Sequence, residues 1–240
     1  MYYQNVRGLG TKTSQILLAS QSIFYDILAL SETWLNDSIM NGELFDLSNF
    51  SVFRSDRSTG KRGGGVLLAL RSKILTGIKI ELDLITDNLG DIPHVDLLLV
   101  KVFFEHRIIY ILTVYIPPNS TCDDFAVFSD ILMSLNCIYG SDIIVIGDFN
   151  ISEFLNCEEC NTHSAKFDII NNLINYFELK QFNRIANSMG RLLDLVFSNK
   201  FPTVCKASEI ILPEDKHHPA LEIGISFETS KTIKSCATNL

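Results

Sequence analysis

Carboxylates and amides stand at the ends of several apolar runs in this chain, and that placement suits hydrolytic chemistry. The run Ile143-Ile144-Val145-Ile146 leads straight into Gly147-Asp148-Phe149-Asn150. Alternate residues of a strand face the same side, so Asp148 and Asn150 share a face while Phe149 points into a core. Asp148 can take a proton from an attacking water, and Asn150 can donate hydrogen bonds to charge developing on a phosphoryl oxygen. Gly, Asp and Asn also favour turns, so this stretch alone reads equally as a plain turn. A second run, Asp26–Leu30, continues into Ser31-Glu32-Thr33-Trp34, where Glu32 is the kind of carboxylate ligand magnesium takes. Tyr3-Gln4-Asn5 ends a third run with an amide, and Val114-Tyr115-Ile116 ends a fourth with a phenol, Pro117 and Pro118 stopping the strand. Asp194 lies inside the apolar stretch Leu192–Phe197, where a lone buried carboxylate is costly without a partner. His217 or His218, just downstream, is the economical partner.

The elements that must position these groups are mostly strands. Short runs rich in Val, Ile and Leu recur at Asp26–Leu30, Gly65–Leu70, Val95–Phe104, Ile108–Ile116, Ile143–Ile146, Leu193–Phe197 and Leu221–Phe227. Two of them flank Glu105-His106-Arg107, which predicts a hairpin. Helical spacing predicts helices over Thr11–Phe24, Asp123–Ile138 and Lys166–Phe177, the last capped by Ser164. Strands dominate and several follow one another directly, which favours an α+β layered fold over regular βαβ alternation. One domain is expected over residues 1–228, with 229–240 a polar C-terminal tail.

Of 240 residues, 47% are hydrophobic and 20% charged, enough apolar material for a large core and too much for a disordered chain. No stretch reaches the roughly 18 apolar residues of a membrane span, and the start has no secretory pattern. Six scattered cysteines form no disulfide framework. Nucleus or cytoplasm is therefore the expected location, not secretion. Cys157-Glu158-Glu159-Cys160, with His163 nearby, is half of a zinc pattern with no second pair, and reads as a polar loop. The net charge of −8 argues against holding nucleic acid by bulk electrostatics. It does not exclude a nuclease, because a carboxylate cluster adds charge that a metal partly cancels. Arg54, Arg57, Lys61, Arg62 and Arg71 make a short basic stretch that is either a solvated loop or a phosphate-contacting one. Trp34 reads as a packing residue or as a platform for a base, and His94 and His163 as ordinary surface or turn residues.

Taken in order, these motifs resemble the endonuclease/exonuclease/phosphatase superfamily, and within it the endonuclease domain of insect-type non-LTR retrotransposons. The resemblance is carried by Tyr3–Leu9, Leu30–Leu35, Gly63–Val66, Val114–Pro118, Gly147–Asn150, Leu193–Asn199 and His217–Pro219, and spans residues 2 to about 228. It implies a four-layer α/β/β/α sandwich like that of deoxyribonuclease I. It also implies a divalent cation, Mg²⁺ with Mn²⁺ as an alternative, and nicking of DNA as the activity. No membrane and no obligatory protein partner are implied. By motif, Glu32 would bind the metal with Asn5 beside it. Tyr115 would contact the phosphate, Asp148 would position or deprotonate the water, and Asn150 would hold phosphate oxygens. Asp194 would orient the catalytic histidine.

The last motif departs from the pattern, which usually reads Ser-Asp-His. Here Glu214-Asp215-Lys216-His217-His218-Pro219 stands in its place. With His218 as the catalytic histidine, His217 takes the usual Asp position, and an imidazole is a poor magnesium ligand. Asp215, three residues before His218, is the candidate to join the metal site instead. Asn183, Arg191 and Arg7 are candidate substrate contacts from neighbouring loops. Two other functions fit the same motifs: a phosphatase or phosphodiesterase acting on a non-DNA substrate, and a nuclease-derived binding module with weakened catalysis.

Overall fold

The structure, a computed structural model, describes residues 1–57, 63–80, 95–155 and 163–226. Twelve strands among them form two six-stranded sheets. The first contains β1 (Tyr2–Asn5), β2 (Ile27–Ser31), β3 (Phe50–Ser55), β4 (Val66–Arg71), β11 (Thr203–Lys206) and β12 (Leu221–Gly224), in the order β11-β12-β1-β2-β4-β3. The second contains β5 (Thr76–Ile80), β6 (Asp96–Phe104), β7 (Arg107–Tyr115), β8 (Ile143–Asp148), β9 (Lys180–Gln181) and β10 (Asp194–Ser198), in the order β5-β6-β7-β8-β10-β9. The helices are α1 (Thr13–Ser20), α2 (Cys122–Ser134) and α3 (Ala165–Tyr176).

Strand alternation sorts the apolar side chains into three cores. Tyr3, Ala29, Leu68, Val100, Ile111, Ile144, Ile146 and Val196 fill the space between the sheets. Residues of opposite parity, such as Leu112, Val145 and Phe197, pack outward against α2 and α3. Tyr2, Leu28 and Leu30 pack outward on the other side, with Ile16 of α1. Helix, sheet, sheet and helix thus make the four-layer α+β sandwich that the motifs imply. A period of two allows no other sorting, because a one-residue slip would swap the faces.

The element boundaries shift in places. The predicted hairpin is present, but β7 begins at Arg107, leaving Glu105-His106 as the turn, with Glu105 at φ 51°. The first helix is shorter than Thr11–Phe24, since the chain turns back at Gln21-Ser22 onto Ala19 and Leu18 carbonyls. α2 stops at Ser134 because Leu135, at ψ 81°, leaves the helical region. Its start is fixed by a capping box between Thr121 and Asp124. Ser164 caps α3, accepting from the Phe167 N–H. The segment Cys157–Cys160, the residues Lys61, Arg62 and His94, and the tail 229–240 lie outside the described residues.

Candidate active site

The site lies between the sheets, where β1, β2, β7 and β8 end. Asn5 continues the inward face of Tyr3, Asp148 that of Ile144 and Ile146, and Asp194 that of Val196. The ladder sets them side by side: Asp148 is the partner of both Tyr115 and Asp194, and Asn5 of Ser31. Gly147 makes this pairing possible. A Cβ there would lie 2.0 Å from the Val114 carbonyl oxygen, so β7 and β8 close up only with glycine at that position.

Asn5 bridges the two sheets' carboxylates, its Nδ2 donating to Glu32 Oε1 and to Asp148 Oδ2, each at 3.0 Å. His218 presents Nδ1 to Asp194 at 3.0 Å and Nε2 to Asp148 Oδ2 at 3.7 Å. Tyr3 donates its hydroxyl proton to Asp194 at 2.9 Å, so the 2.8 Å contact with Ser31 is a bond that Ser31 donates. Asn5, Glu32, Tyr115, Asp148, Asp194 and His218 are all buried. Of the two adjacent histidines, His218 is the one that Asp194 holds.

Burying several carboxylates together has electrostatic consequences. Desolvation, then the charge of Asp194, push Asp148 up to about 8, with His218 pulling the other way. Burial works against the His218 imidazolium, but the charge and hydrogen bond of Asp194, with Asp148 and Glu32, outweigh it and push the pKa up to about 9. Burial, then the charges of Glu32 and Asp148, raise Tyr115 far above the ordinary phenol, so it remains a hydroxyl donor. Among the described residues, Glu32, Asp148 and His218 form the group able to hold a metal ion, their donor atoms lying within 4.8 Å of one another. Hard carboxylate oxygens in a site of excess negative charge fit a divalent cation, whose charge would reverse the pressure on Asp148.

Several expected contacts are placed elsewhere. Asp215 is not in that group. Its Oδ1 accepts from the His217 N–H, its Oδ2 pairs with Arg7 Nη1 at 3.1 Å, and the pair is partly exposed. Burial raises the Asp215 carboxyl, but the His217 N–H and Arg7 outweigh it and hold it below the usual value. Arg7 therefore stands beside Asp215 at the rim. Asn183 is a correction, being fully buried rather than a surface contact: Nδ2 donates to the Asp194 carbonyl and Oδ1 accepts from Ile185, so it braces β10. Asn150 does not continue the strand; it lies at φ 52°, its N–H donating to Asp148 Oδ1 at 3.0 Å and its Nδ2 to the Ile116 carbonyl at 2.8 Å. Arg191 is exposed, in a turn organised by Asn187, whose Nδ2 donates to the His217 carbonyl. Its side chain has no partner among the described residues, which leaves it available at the rim.

Sequence reasoning passed over Tyr3, which reads as one more strand aromatic, and the pair of half-buried Arg57 with buried Asp96 beside Tyr115. Arg57 Nη2 lies 2.5 Å from Asp96, and its guanidinium carbon 5.5 Å from the Tyr115 ring centre. Asp96 also accepts from the Gly65 N–H at 3.0 Å. With Arg54 paired to Asp56 and Arg71 to Asp26, the described arginines of the basic stretch hold the fold. His163 stacks on Phe167 at 4.2 Å. Exposed Cys122, Cys137 and Cys205 are free thiols, and no described helix is long and apolar enough to cross a membrane.

Solved structures share this architecture. The endonuclease domain of TRAS1, a telomere-specific non-LTR retrotransposon, superposes with a TM-score of 0.64 at 12% identity, covering 93% of this chain and 96% of that one. The 3′ phosphatase NExo from Neisseria, bound to a product DNA hairpin, gives 0.62 at 15% identity, covering 95% and 100%. The abasic endonuclease LMAP from Leishmania major gives 0.63 at 13%, covering 93% and 87%. At such identities these likenesses show the fold. No curated protein sequence matches the chain significantly. The profile of the Endonuclease/Exonuclease/phosphatase family matches residues 3–216, stopping just short of His217 and His218. A match over most of the chain, on a sandwich whose strand ends gather the carboxylates, amide and histidine that the motifs supply, places this chain in the Endonuclease/Exonuclease/phosphatase family.

Proposed function

We propose that this chain is a Mg²⁺-dependent endonuclease that nicks DNA, with residues 1–228 as the endonuclease domain of a non-LTR retrotransposon. The observation that carries the hydrolytic reading is the buried chain Asp194–His218–Asp148–Asn5–Glu32, which joins both sheets through hydrogen bonds and close contacts. Glu32 and Asp148 would hold the cation, with Asn5 fixing both carboxylates; when bound, the cation supplies Lewis-acid polarisation of a phosphoryl oxygen. Asp148, fixed by Asn5 and facing His218, is placed to accept the proton of an attacking water. His218, kept protonated by Asp194, and Tyr115, kept a phenol, are the donors that face charge building on the phosphoryl group. Asn5 and Asn183 orient these groups. Arg7 and Arg191 stand at the rim, where a phosphate backbone would pass. DNA as the substrate is supported by the order of the motifs and by the likeness to the TRAS1 domain. The free, exposed cysteines agree with a reducing compartment, nucleus or cytoplasm.

Supercoiled plasmid incubated with the protein and Mg²⁺ or Mn²⁺ should convert to the nicked circle, and Asp148→Ala should remove nearly all of that activity while the fold survives. Intact plasmid with folded native protein would sink the endonuclease reading. Turnover of a phosphomonoester panel in the same preparation would then assign the site to a non-DNA substrate, and silence on both would assign it to a binding module. Equal nicking by Asp148→Ala would overturn the role given to Asp148.

A further inference from the structure

The Glu32 carboxylate is held by two side-chain donors, one on each oxygen. Asn5 Nδ2 donates to Oε1 at 3.0 Å, and the Trp34 indole N–H donates to Oε2 at 3.3 Å. A carboxylate offers about four lone-pair directions, so this grip leaves about two of them for a cation.

Trp34 reaches Glu32 at a conformational cost. Glu32 and Trp34 take left-handed φ values, 51° and 53°, a region that bulky residues rarely enter. Such strain persists only where the surroundings impose it. Here they do: Gly8 and Leu9 donate to the Glu32 and Thr33 carbonyls, while Thr33 and Trp34 donate to the carbonyls of Gly65 and Gly64. Gly8 clears the space for the ring, since a Cβ there would lie 2.8 Å from Trp34 Cε3. The ring stays 43% exposed, so burying the indole does not account for holding it there.

We infer that Trp34 is a positioning residue for the divalent cation: its indole N–H fixes the Glu32 carboxylate so that the free oxygen directions face the ion. This rests on the reading of Glu32 as a metal ligand. Trp34 itself touches neither the ion nor the reacting phosphate.

Because Trp34 is the sole tryptophan, replacing tryptophan throughout the chain by benzothienylalanine alters one site only. It exchanges the N–H for sulfur and keeps the shape of the ring. Binding of Mn²⁺ is read directly, by electron paramagnetic resonance of the free ion. Partners that orient a metal ligand are worth about 10- to 100-fold in affinity. The Kd for Mn²⁺ should therefore rise about tenfold or more, with circular dichroism and the unfolding midpoint unchanged. Trp34→Phe, which also lacks the donor, should show the same loss. A native Kd in either protein overturns the inference and leaves the metal reading standing, since packing alone would then explain the indole. Native Mn²⁺ affinity in Glu32→Gln, or no binding by the native protein, overturns both.

Discussion

Replacing Asp194 with asparagine isolates the charge that sets the state of His218. Asp194 is buried, faces His218 Nδ1 at 3.0 Å and accepts from Tyr3, a bond that an asparagine oxygen can keep. In the native protein burial alone would lower the His218 pKa, and Asp194 is the first of the groups that raise it, to about 9. The rise from 6.5 to about 9 is worth about 3 kcal/mol at ~1.4 kcal/mol per pH unit. A histidine with a raised folded-state pKa stabilises fully below 6.5 and loses that stabilisation as pH rises through about 9. Asp148, raised to about 8, acts with the same sign, because the folded protein keeps a proton that the unfolded chain gives up above 3.8. Urea unfolding of the chelated native protein should therefore show stability falling from pH 3.8 to about 9, most steeply between 6.5 and about 8 where both groups contribute, the slope belonging to the pair. In Asp194→Asn the imidazole titration, followed by nitrogen-detected NMR, should move down by about 2 pH units or more, and most of that slope should vanish. Nicking should fall at least about a hundredfold, the usual contribution of a positioned acid or base. A His218 midpoint still near 9 in the variant would refute the assignment of Asp194 as its partner.

Other variants test the frame around the site. Gly147→Ala puts a methyl group into the Val114 carbonyl, and should cost about 1–3 kcal/mol in urea or prevent folding altogether; native stability would contradict the close approach of β7 and β8. Asp96→Ala removes the acceptor of the Arg57 guanidinium and of the Gly65 N–H, and should cost about 1–3 kcal/mol by thermal denaturation; a loss under about 0.5 kcal/mol would show that these bonds do not hold the fold. Arg7→Ala should change stability by less than about 1 kcal/mol, since its pair with Asp215 is partly exposed. If Arg7 meets a phosphate, the same variant should lower the salt dependence of DNA binding by about one unit of slope, and an unchanged slope would remove Arg7 from the substrate contacts.

The sequence alone determined the interior. Every predicted strand appears, because central strands read as continuous apolar runs. The strands it did not announce are β3, β5, β9 and β11, which are the edges of the two sheets. Edge strands are covered on fewer sides and tolerate Ser, Arg, Lys and Gly, as in Phe50–Ser55 and Thr76–Ile80, so their periodic signal is weak. The same logic divides the site. Asn5, Glu32, Tyr115, Asp148 and Asp194 were legible because each is a polar group set at or beside an apolar run, a costly placement that demands a reason. From the residues alone His218 was legible only as one of two histidines, and the resemblance chose between them. What tertiary structure decided is which groups meet. Asp215 is three residues from His218 yet pairs with Arg7, from the other end of the chain. Asn183 looks like a loop polar residue and is a buried brace. The Arg57–Asp96 pair joins residues 39 apart, and the indole of Trp34 turns back to Glu32 only because the backbone there is left-handed. Periodicity reports which side of an element a residue faces. It carries no information about which other element arrives on that side, and hydrogen bonds of a few ångströms depend on that arrival.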